Sequence, residues 1–423
     1  MTSSALGRDF RLLWSATISS RFGDALRTPA LALLAATLTR DPRVIAAVTV
    51  AGQLPPLLFG LLGGVYADRW DRRRTMALVD GVRAAVVAAL AVTVALDRVS
   101  VPVLLVVAFL LATLGTLFDS ASFAVLPTLV PPDALPRANG RLQAGSAVAG
   151  GFLGAPAAGV LFAVAPALPF ALDAVTFAAA ALLVLALAPA PVTSVQARPG
   201  AGRGSVWGEI VEGLRWLRAH RTLWRVTLLT AASNLAISGI MAVLVLYALD
   251  VLRVPPAGYG LFAAAAVVGG VAGALGAGRL AARLGTVPAL CAVLAAQTVA
   301  LTGFALARHP VPGGFALAVF AAGTVVWNSL WASYGQRQVP AGLLGRVGAA
   351  QRMVGLLTAP IGAALAGLAA AAYGTVPVAG AAAGTFALVT VAAWRILRPV
   401  PPADTPISGQ TAAHSARHRS RQT

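Results

Sequence analysis

The sequence predicts an all-α membrane protein with twelve transmembrane helices in two pseudo-symmetric six-helix bundles. Three observations predict this fold class. The composition is too apolar for a water-facing surface, apolar runs of membrane length recur along the chain, and an internal repeat relates its two halves.

The composition excludes an ordinary soluble protein. Of the 423 residues, 58% are hydrophobic and 11% are charged, whereas a soluble chain has about 25% charged residues. Intrinsic disorder is excluded as well, because it requires low hydrophobicity. Twelve spans of about 20 residues need roughly 240 residues, which the apolar residues and glycines can supply.

Twelve apolar runs follow one another along the chain. Each is about twice as long as a membrane β-strand and lacks a two-residue alternation, so each is predicted to be a helix. The first half contains runs at 11–37, 44–67, 75–96, 102–126, 140–164 and 168–188. The second half contains runs at 223–248, 258–282, 286–307, 313–335, 347–371 and 376–397.

A polar interruption divides the runs into six and six. We expect an N-terminal bundle at 1–188, a cytoplasmic linker at 189–222, a C-terminal bundle at 223–398 and a disordered basic tail at 399–423. Within the linker, residues from Trp207 to Arg218 place apolar side chains at helical spacing, which predicts a short amphipathic helix at the membrane surface.

The basic residues indicate how the chain lies in the membrane. All 32 are arginine and the net charge is +18, which alone would also fit nucleic-acid binding. With both termini inside, 24 arginines fall in cytoplasmic segments, 5 in outer loops and 3 within helices. This positive-inside pattern predicts a multi-pass protein of the inner or plasma membrane with both termini cytoplasmic and no nucleic-acid partner.

Nothing in the remaining chemistry-bearing residues supports an enzyme. The single cysteine, Cys291, lies in an apolar run, and the four histidines form no cluster with cysteine or acidic residues. A Walker motif requires lysine, which the chain lacks, so it is not expected to hydrolyse ATP. No cofactor and no metal are expected.

The two halves match each other at an offset near 210 residues. The segment Gly63–Arg69 lines up with Gly273–Arg279, and each ends the second helix of its half. The segment Leu129–Pro131 likewise lines up with Gln338–Pro340, after the fourth helix. Two parallel bundles of this kind are a transporter architecture, with the substrate site at their interface near the midplane.

Several segments resemble a known transporter family. Residues 64–74 read Gly-Val-Tyr-Ala-Asp-Arg-Trp-Asp-Arg-Arg-Arg, similar to the first cytoplasmic-loop motif of the major facilitator superfamily (MFS), with Tyr66 and Asp71 replacing its leucine and glycine. Residues 150–159 resemble its antiporter signature in a loose form. Residues 118–127, and 336–340 with 345–347, resemble its third drug:proton antiporter branch, which includes macrolide efflux proteins and the enterobactin exporter. The resemblance implies the MFS fold.

The loop motif also has a physical interpretation. Gly64 allows two helix backbones to approach closely. Asp68, next to Arg69, lies at a helix end and can accept hydrogen bonds, with Arg72 as the expected partner. Such a cytoplasmic latch would hold the outward-open state. The alternative is that the arginines only anchor topology.

Helix five contains a stripe of small residues. Gly150, Gly154 and Gly159 allow close packing, and Pro156 is expected to perturb the helix. A role in antiport and generic tight packing both remain open.

Charges inside the predicted spans are the main candidates for coupling, because a charge at mid-membrane costs at least about 2.5–3.5 kcal/mol. Arg21, Asp24 and Arg27 are spaced by three in helix one, which places them near one face where they can pair and line the cavity. Asp24 is predicted to exchange a proton or contact substrate, with a structural ion pair as the alternative. Asp119 in helix four is the second coupling candidate.

Two further carboxylates are interpreted as structural or solvated. Asp80 and Arg83, near the cytoplasmic end of helix three, predict a structural pair. Asp173 lies near the outer end of helix six and is expected to be solvated. No carboxylate is predicted deep in the second half.

The second half offers amide and aromatic groups instead. Asn234 in helix seven is a buried polar group that needs a partner. Helix ten presents a row suited to a large amphipathic or aromatic substrate, namely Trp327, Asn328, Trp331, Tyr334 and Gln336. Packing within the bundle or an interfacial belt is the alternative.

These features together predict a secondary active transporter that exports hydrophobic or amphipathic small molecules, such as drugs or antibiotics, by proton-coupled alternating access. Its expected partners are the small-molecule substrate, protons and the lipid bilayer, with the chain acting as a monomer. Export of an endogenous siderophore or secondary metabolite is the alternative, and an uptake carrier is less favoured. A membrane-embedded enzyme or receptor would need a catalytic constellation, and the sequence shows none.

Overall fold

Twelve long helices and one short helix make up most of the described part of the chain. A computed structural model describes residues 7–67, 71–131, 134–188, 206–340 and 343–397. The first half contains α1 (Arg8–Leu38), α2 (Pro42–Ala67), α3 (Arg72–Ala95), α4 (Val101–Leu129), α5 (the consecutive segments Leu135–Ala147, Val148–Gly154 and Ala155–Val164) and α6 (Leu168–Leu185). The short helix α7 (Val206–Ala219) follows. The second half contains α8 (Arg221–Leu246, continued by Tyr247–Val251), α9 (Pro256–Leu284), α10 (Thr286–Leu306), α11 (Pro310–Gln338), α12 (Leu344–Tyr373) and α13 (Thr375–Leu397).

Each predicted apolar run corresponds to one helix, so the predicted all-α fold of membrane-length helices is confirmed. Eleven of the described helices are long and apolar enough to cross a membrane. The remaining long helix, α1, has 31 residues and contains the charged residues of the predicted coupling site. Its lower apolarity therefore reflects that site.

Several helices begin a few residues before the predicted apolar run, because hydropathy marks the membrane portion of a helix and not its polar ends. The start of α3 shows this clearly. The Asp71 carboxylate accepts hydrogen bonds from the backbone N–H groups of Arg73 (3.0 Å) and Arg74 (3.2 Å). An N-cap of this kind satisfies donors that have no partner within the helix and fixes where the helix begins.

The predicted amphipathic helix is present as α7 and packs against α12. Ile210 and Leu217 are buried, and Leu217 packs in one apolar cluster with Val347 of α12. Gly213 brings the two backbones together, since a Cβ there would lie 2.3 Å from the carbonyl oxygen of Arg346. Glu212 forms a 2.7 Å ion pair with Arg346. Part of the predicted apolar face therefore packs on protein, whereas Val211 is 48% exposed, and α7 is attached to the second half.

Two turns within the second half share the tetrapeptide sequence Gly-Thr-Val-Pro. Gly285 begins a Gly-Thr-Val-Pro segment between α9 and α10, and Gly374 begins another between α12 and α13. Both glycines have positive φ, 83° and 88°, a backbone conformation that residues with a Cβ rarely adopt. Each turn reverses the chain between two long helices.

The buried apolar core shows how the halves meet. We define the proximal end of the molecule as the end where α1 begins and α13 ends, and the distal end as the opposite one. In the distal part, one continuous core contains residues of both halves, such as Leu33 and Leu244. In the proximal part, one core around Leu13 and Phe118 belongs to the first half, and another around Leu290 belongs to the second. The halves therefore converge at the distal end.

Glycines and one ion pair close the distal contact. A Cβ on Gly260 of α9 would lie 1.9 Å from the carbonyl oxygen of Ala155 on α5, so these backbones are in direct contact. On the other side, Gly367 of α12 lies against Ala46 of α2, where a Cβ would be 2.4 Å away. Arg40 and Asp250 add an ion pair between the halves at 3.1 Å.

Candidate functional site

A cavity of about 480 Å³ lies between the two halves. Residues from α1, α2, α4, α8 and α9 line it, and most of them are apolar, including Leu31, Leu111 and Met241. The polar groups in its wall are few, namely Arg27, Thr28, Thr49, Gln53 and Tyr259. A pocket of this volume and composition is of the size that accommodates a drug-sized ligand.

Five charged side chains from three helices form a buried ion cluster beside this cavity: Asp24, Arg27, Asp80, Arg83 and Asp173. The Oδ1 atom of Asp24 accepts from Arg27 at 2.5 Å and from Arg83 at 2.6 Å. Arg27 also donates to Asp173 at 2.8 Å, and Arg83 donates to Asp80 at 3.2 Å. Arg27 belongs both to the buried ion cluster and to the cavity wall, so it connects the two.

The first half supports this cluster with neutral groups. The guanidinium of Arg83 lies 3.9 Å from the centre of the Phe177 ring, and that of Arg27 lies 5.5 Å from it. Arg83 also donates to the hydroxyl of Ser20 at 3.1 Å. A cation over an aromatic face is stabilised, more so where water is excluded, so Phe177 helps to hold both arginines in place.

The charges of the buried ion cluster do not balance. It contains three carboxylates and two guanidiniums, which gives a net charge of −1 when every carboxylate is ionised. Two carboxylate oxygens, Oδ2 of Asp80 and Oδ1 of Asp173, are buried without a hydrogen-bond partner. An uncompensated charge in an apolar interior is costly, so the cluster is well suited to take up one further positive charge.

The prediction that Asp173 is solvated is wrong. Its side chain is fully buried and paired with Arg27. The reason is the close packing of α6 on α1 at Gly23, where a Cβ would lie 2.1 Å from Oδ1 of Asp173. Although Asp173 is only about one turn from the start of α6, it is buried because Gly23 of α1 has no Cβ at that depth and lets the two helices come close.

Arg21 and Asp119 form a second, separate ion pair between α1 and α4. The pair measures 2.6 Å, and the two side chains are 42% and 53% exposed. The sequence predicted pairing within α1, and this holds for Asp24 with Arg27 but not for Arg21. Successive steps of three residues rotate by about 60° around a helix, so Arg21 points away from Arg27 and towards α4.

Most of the chain matches a known protein family. The family model of the Major Facilitator Superfamily matches residues 13–362. The chain belongs to the major facilitator superfamily. It is therefore a membrane transporter of the MFS type.

Two curated relatives of this MFS transporter are uncharacterized MFS-type transporters from Mycobacterium bovis and Mycobacterium tuberculosis. Each is 34% identical over 150 residues. These matches span 35% of this chain and about a third (34%) of each relative's length.

Solved structures share the fold at low sequence identity. A bacterial homologue of the iron transporter ferroportin in an inward-facing state has a TM-score of 0.74 at 16% identity, covering 94% of this chain and 100% of that one. A bacterial homologue of the human lysosomal transporter Spinster, inward-facing and unoccupied, has a TM-score of 0.72 at 13% identity, covering 94% and 98%. The nucleoside transporter NupG has a TM-score of 0.69 at 16% identity, covering 92% and 99%.

Among the described residues of this MFS transporter, no group of three or more His, Cys, Asp or Glu side chains is placed to hold a metal ion.

Most side chains of the loop motif of this MFS transporter lie outside the described residues. Asp68 and Arg69 fall in the gap after α2, and the structure describes only the backbone at Gly64 in α2 and at Arg72, the first residue of α3. The predicted latch therefore stays a prediction. Next to it, Arg73 donates to the carbonyl oxygen of Val184 at 3.2 Å, which ties α3 to the end of α6.

The antiporter-like stripe of α5 packs against α1 of its own half and against α9 of the other half. Gly154 packs on α1, where a Cβ would lie 2.6 Å from Cβ of Ala25, and Gly150 is in ordinary contact with the same atom at 3.9 Å. Gly159 packs on α9 of the other half, where a Cβ would lie 2.7 Å from the carbonyl oxygen of Ala257. Pro156 follows a π-helical segment, Val148–Gly154. A proline cannot donate a backbone hydrogen bond, which accounts for irregular winding just before it.

The aromatic row of α11 forms a continuous stack. The ring centres of Trp327 and Trp331 are 6.0 Å apart, and those of Trp331 and Tyr334 are 5.4 Å apart. Trp327 is 7% exposed and lies in the proximal core of the second half, while Tyr334 packs near Leu217 of α7. None of these rings lines the central cavity, which favours the packing interpretation.

The other polar candidates of the second half are less confined. Asn234 is half-buried, with its amide nitrogen 3.2 Å from where a Cβ would stand on Gly355 of α12. Asn328 is exposed on α11. The side chain of Gln336 lies outside the described residues. A substrate role for these residues stays a prediction.

Proposed function

We propose that this transporter exports hydrophobic or amphipathic small molecules in exchange for protons. The observation that supports this most strongly is the buried ion cluster, which has one carboxylate more than it has guanidiniums and touches the central cavity through Arg27. A proton bound to the cluster would neutralise it. Both fluxes would then depend on the same few side chains.

The coupling step follows from the shared negative charge. Asp24 is bonded to both Arg27 and Arg83, and Arg27 connects the buried ion cluster to the cavity wall. A proton on Asp24 would neutralise the one excess negative charge of the cluster. A cationic group of the substrate at the cavity wall would neutralise the same charge, so the binding of either one would lower the affinity for the other. Protons and substrate would therefore bind in alternation.

The geometry of the halves gives the direction of access. They converge at the distal end through Gly260 and Ala155, while their cores are separate at the proximal end. The arginine distribution supports a cytoplasmic proximal end. In our proposal the described conformation therefore takes substrate from the cytoplasm, in keeping with the inward-facing state of the structural neighbours.

Replacing Asp24 by asparagine should abolish coupling while preserving the fold. The variant keeps an acceptor oxygen for Arg27 and Arg83 and leaves two carboxylates facing two guanidiniums, which mimics the proton-loaded cluster. We expect proton-driven accumulation to fall to background while exchange of substrate for substrate persists. The substrate is first identified as a toxic compound to which a deletion strain is hypersensitive. Substrate-dependent proton release is then measured in everted vesicles.

Asp97→Asn is the matched control for this experiment. Asp97 lies in a distal turn with a φ of 53°, which asparagine also tolerates, so transport should be unchanged. Full proton-driven accumulation by the Asp24 variant would remove the cluster from the mechanism. Proton release driven by uptake instead of export would reverse the proposed direction.

Gln53 is expected to select substrates with a hydrogen-bond donor. It lines the cavity, and its buried Oε1 atom has no hydrogen-bond partner within the described part of the chain. An amine or hydroxyl of the substrate would satisfy it. Gln53→Leu should weaken transport of amine-bearing substrates by about ten-fold, the value of a lost bond to a buried polar group. Analogues without the donor should be unaffected, as competition assays would show.

A further inference from the structure

A second cavity lies outside the transport path, in a crevice between α1 and α5. Its volume is about 580 Å³, and it shares no lining residue with the central cavity. Its wall combines the apolar side chains of Trp14, Ile18, Val148 and Leu153 with two arginines, Arg11 and Arg141.

The two arginines stand at one end of the crevice. Both α1 and α5 begin at the proximal end, and side chains on a helix incline towards its N-terminus, so both guanidiniums point to the proximal boundary of the membrane. The indole N–H of Trp14 donates to the carbonyl oxygen of Arg141 at 3.1 Å, which holds the two walls in register. Neither arginine has an ion-pair partner in the described ranges.

The rest of the crevice is apolar. Val148 and Leu153 are 51% and 56% exposed. From Arg141 to Leu153 the helix rises roughly 18 Å, and one leaflet of a bilayer has a hydrocarbon thickness of about 15 Å. The crevice therefore has the depth of one leaflet, with positive charge at its polar end only.

We propose that this crevice binds an anionic phospholipid of the proximal leaflet. Its phosphate would lie between Arg11 and Arg141, and an acyl chain would cover Ile18, Val148 and Leu153. Basic pockets between transmembrane helices are suited to anionic headgroups, and a tryptophan at the same level is typical of the membrane interface. Because α5 also forms the distal contact with α9, a lipid bound here rests on a helix that joins the two halves.

Native mass spectrometry of the purified transporter tests this with phosphatidylglycerol as the probe and phosphatidylcholine as the zwitterionic comparison. We expect phosphatidylglycerol to be retained preferentially. The double variant Arg11→Gln/Arg141→Gln should bind it about thirty-fold more weakly, at about 1 kcal/mol for each arginine near the surface. Ala144→Phe, which fills the crevice and leaves both arginines, should also reduce retention.

Arg279→Gln/Arg283→Gln is the control, since it removes the same charge from exposed positions on the second helix of the other half. Its lipid retention should equal that of the wild type. Equal retention by the crevice variants, or no preference for phosphatidylglycerol over phosphatidylcholine, would overturn the proposal. Lipid binding is read without any transport assay, so the outcome is independent of the function proposed above.

Discussion

Replacing Arg83 by leucine is expected to destabilise the transporter by about 3–5 kcal/mol, the cost of removing one partner from a buried ion pair. Arg83 is 3% exposed and contacts both Asp24 and Asp80. Without it, three carboxylates would face one guanidinium, and the net charge of the cluster would change from −1 to −2. The free energy of unfolding in detergent measures the loss.

The same helix contains a matched control for this experiment. Asp71, the N-cap of α3, and Arg74 in its first turn are also three residues apart, but Arg74 is 85% exposed and the pair is 3.5 Å long. Arg74→Leu should change stability by less than about 0.5 kcal/mol. Asp80→Asn in the Arg83→Leu background should recover much of the loss, since it restores a net charge of −1. Equal effects of the two arginine substitutions would show that the buried cluster is not an electrostatic unit.

Gly260→Ala is expected to open the distal contact without unfolding either half. The added Cβ would lie 1.9 Å from the backbone oxygen of Ala155, so α5 and α9 must separate. These helices belong to different halves, and the conformation with the distal end open should become dominant. Spin labels on Arg98→Cys and Val311→Cys, in a background with Cys291→Ser, would report a longer distance between the halves.

Gly269→Ala provides the comparison on the same helix. Its Cβ would lie equally close, 1.9 Å, to the backbone oxygen of Ala318. Because α9 and α11 belong to the same half, this overlap should lower stability and leave the distance between labels unchanged. Identical responses of the two glycine variants would mean that the distal contact does not control access.

The sequence was sufficient to predict the helices, because the membrane requires long apolar segments whose backbone bonds are satisfied internally. It was also sufficient for local pairs, since three-residue spacing on one helix brings Asp24 to Arg27 and Asp80 to Arg83. Both pairs therefore follow from spacing alone.

Contacts between helices could not be predicted in the same way. The depth at which α6 meets α1 decides that Asp173 is buried, and the rotation of α11 decides that Trp327 faces its own bundle. Neither depth nor rotation is encoded in the spacing within one helix. The sequence did place all four intramembrane carboxylates in the first half, but their grouping required the tertiary structure.

The repeated Gly-Thr-Val-Pro turns of the second half have a consequence for orientation. Gly285 lies at the proximal end and Gly374 at the distal end, so one tetrapeptide reverses the chain on opposite faces of the bilayer. Such an arrangement fits two three-helix units of inverted topology within one half. The turn sequence therefore does not determine on which side of the membrane it lies, and the orientation of the chain depends on the distribution of the arginines.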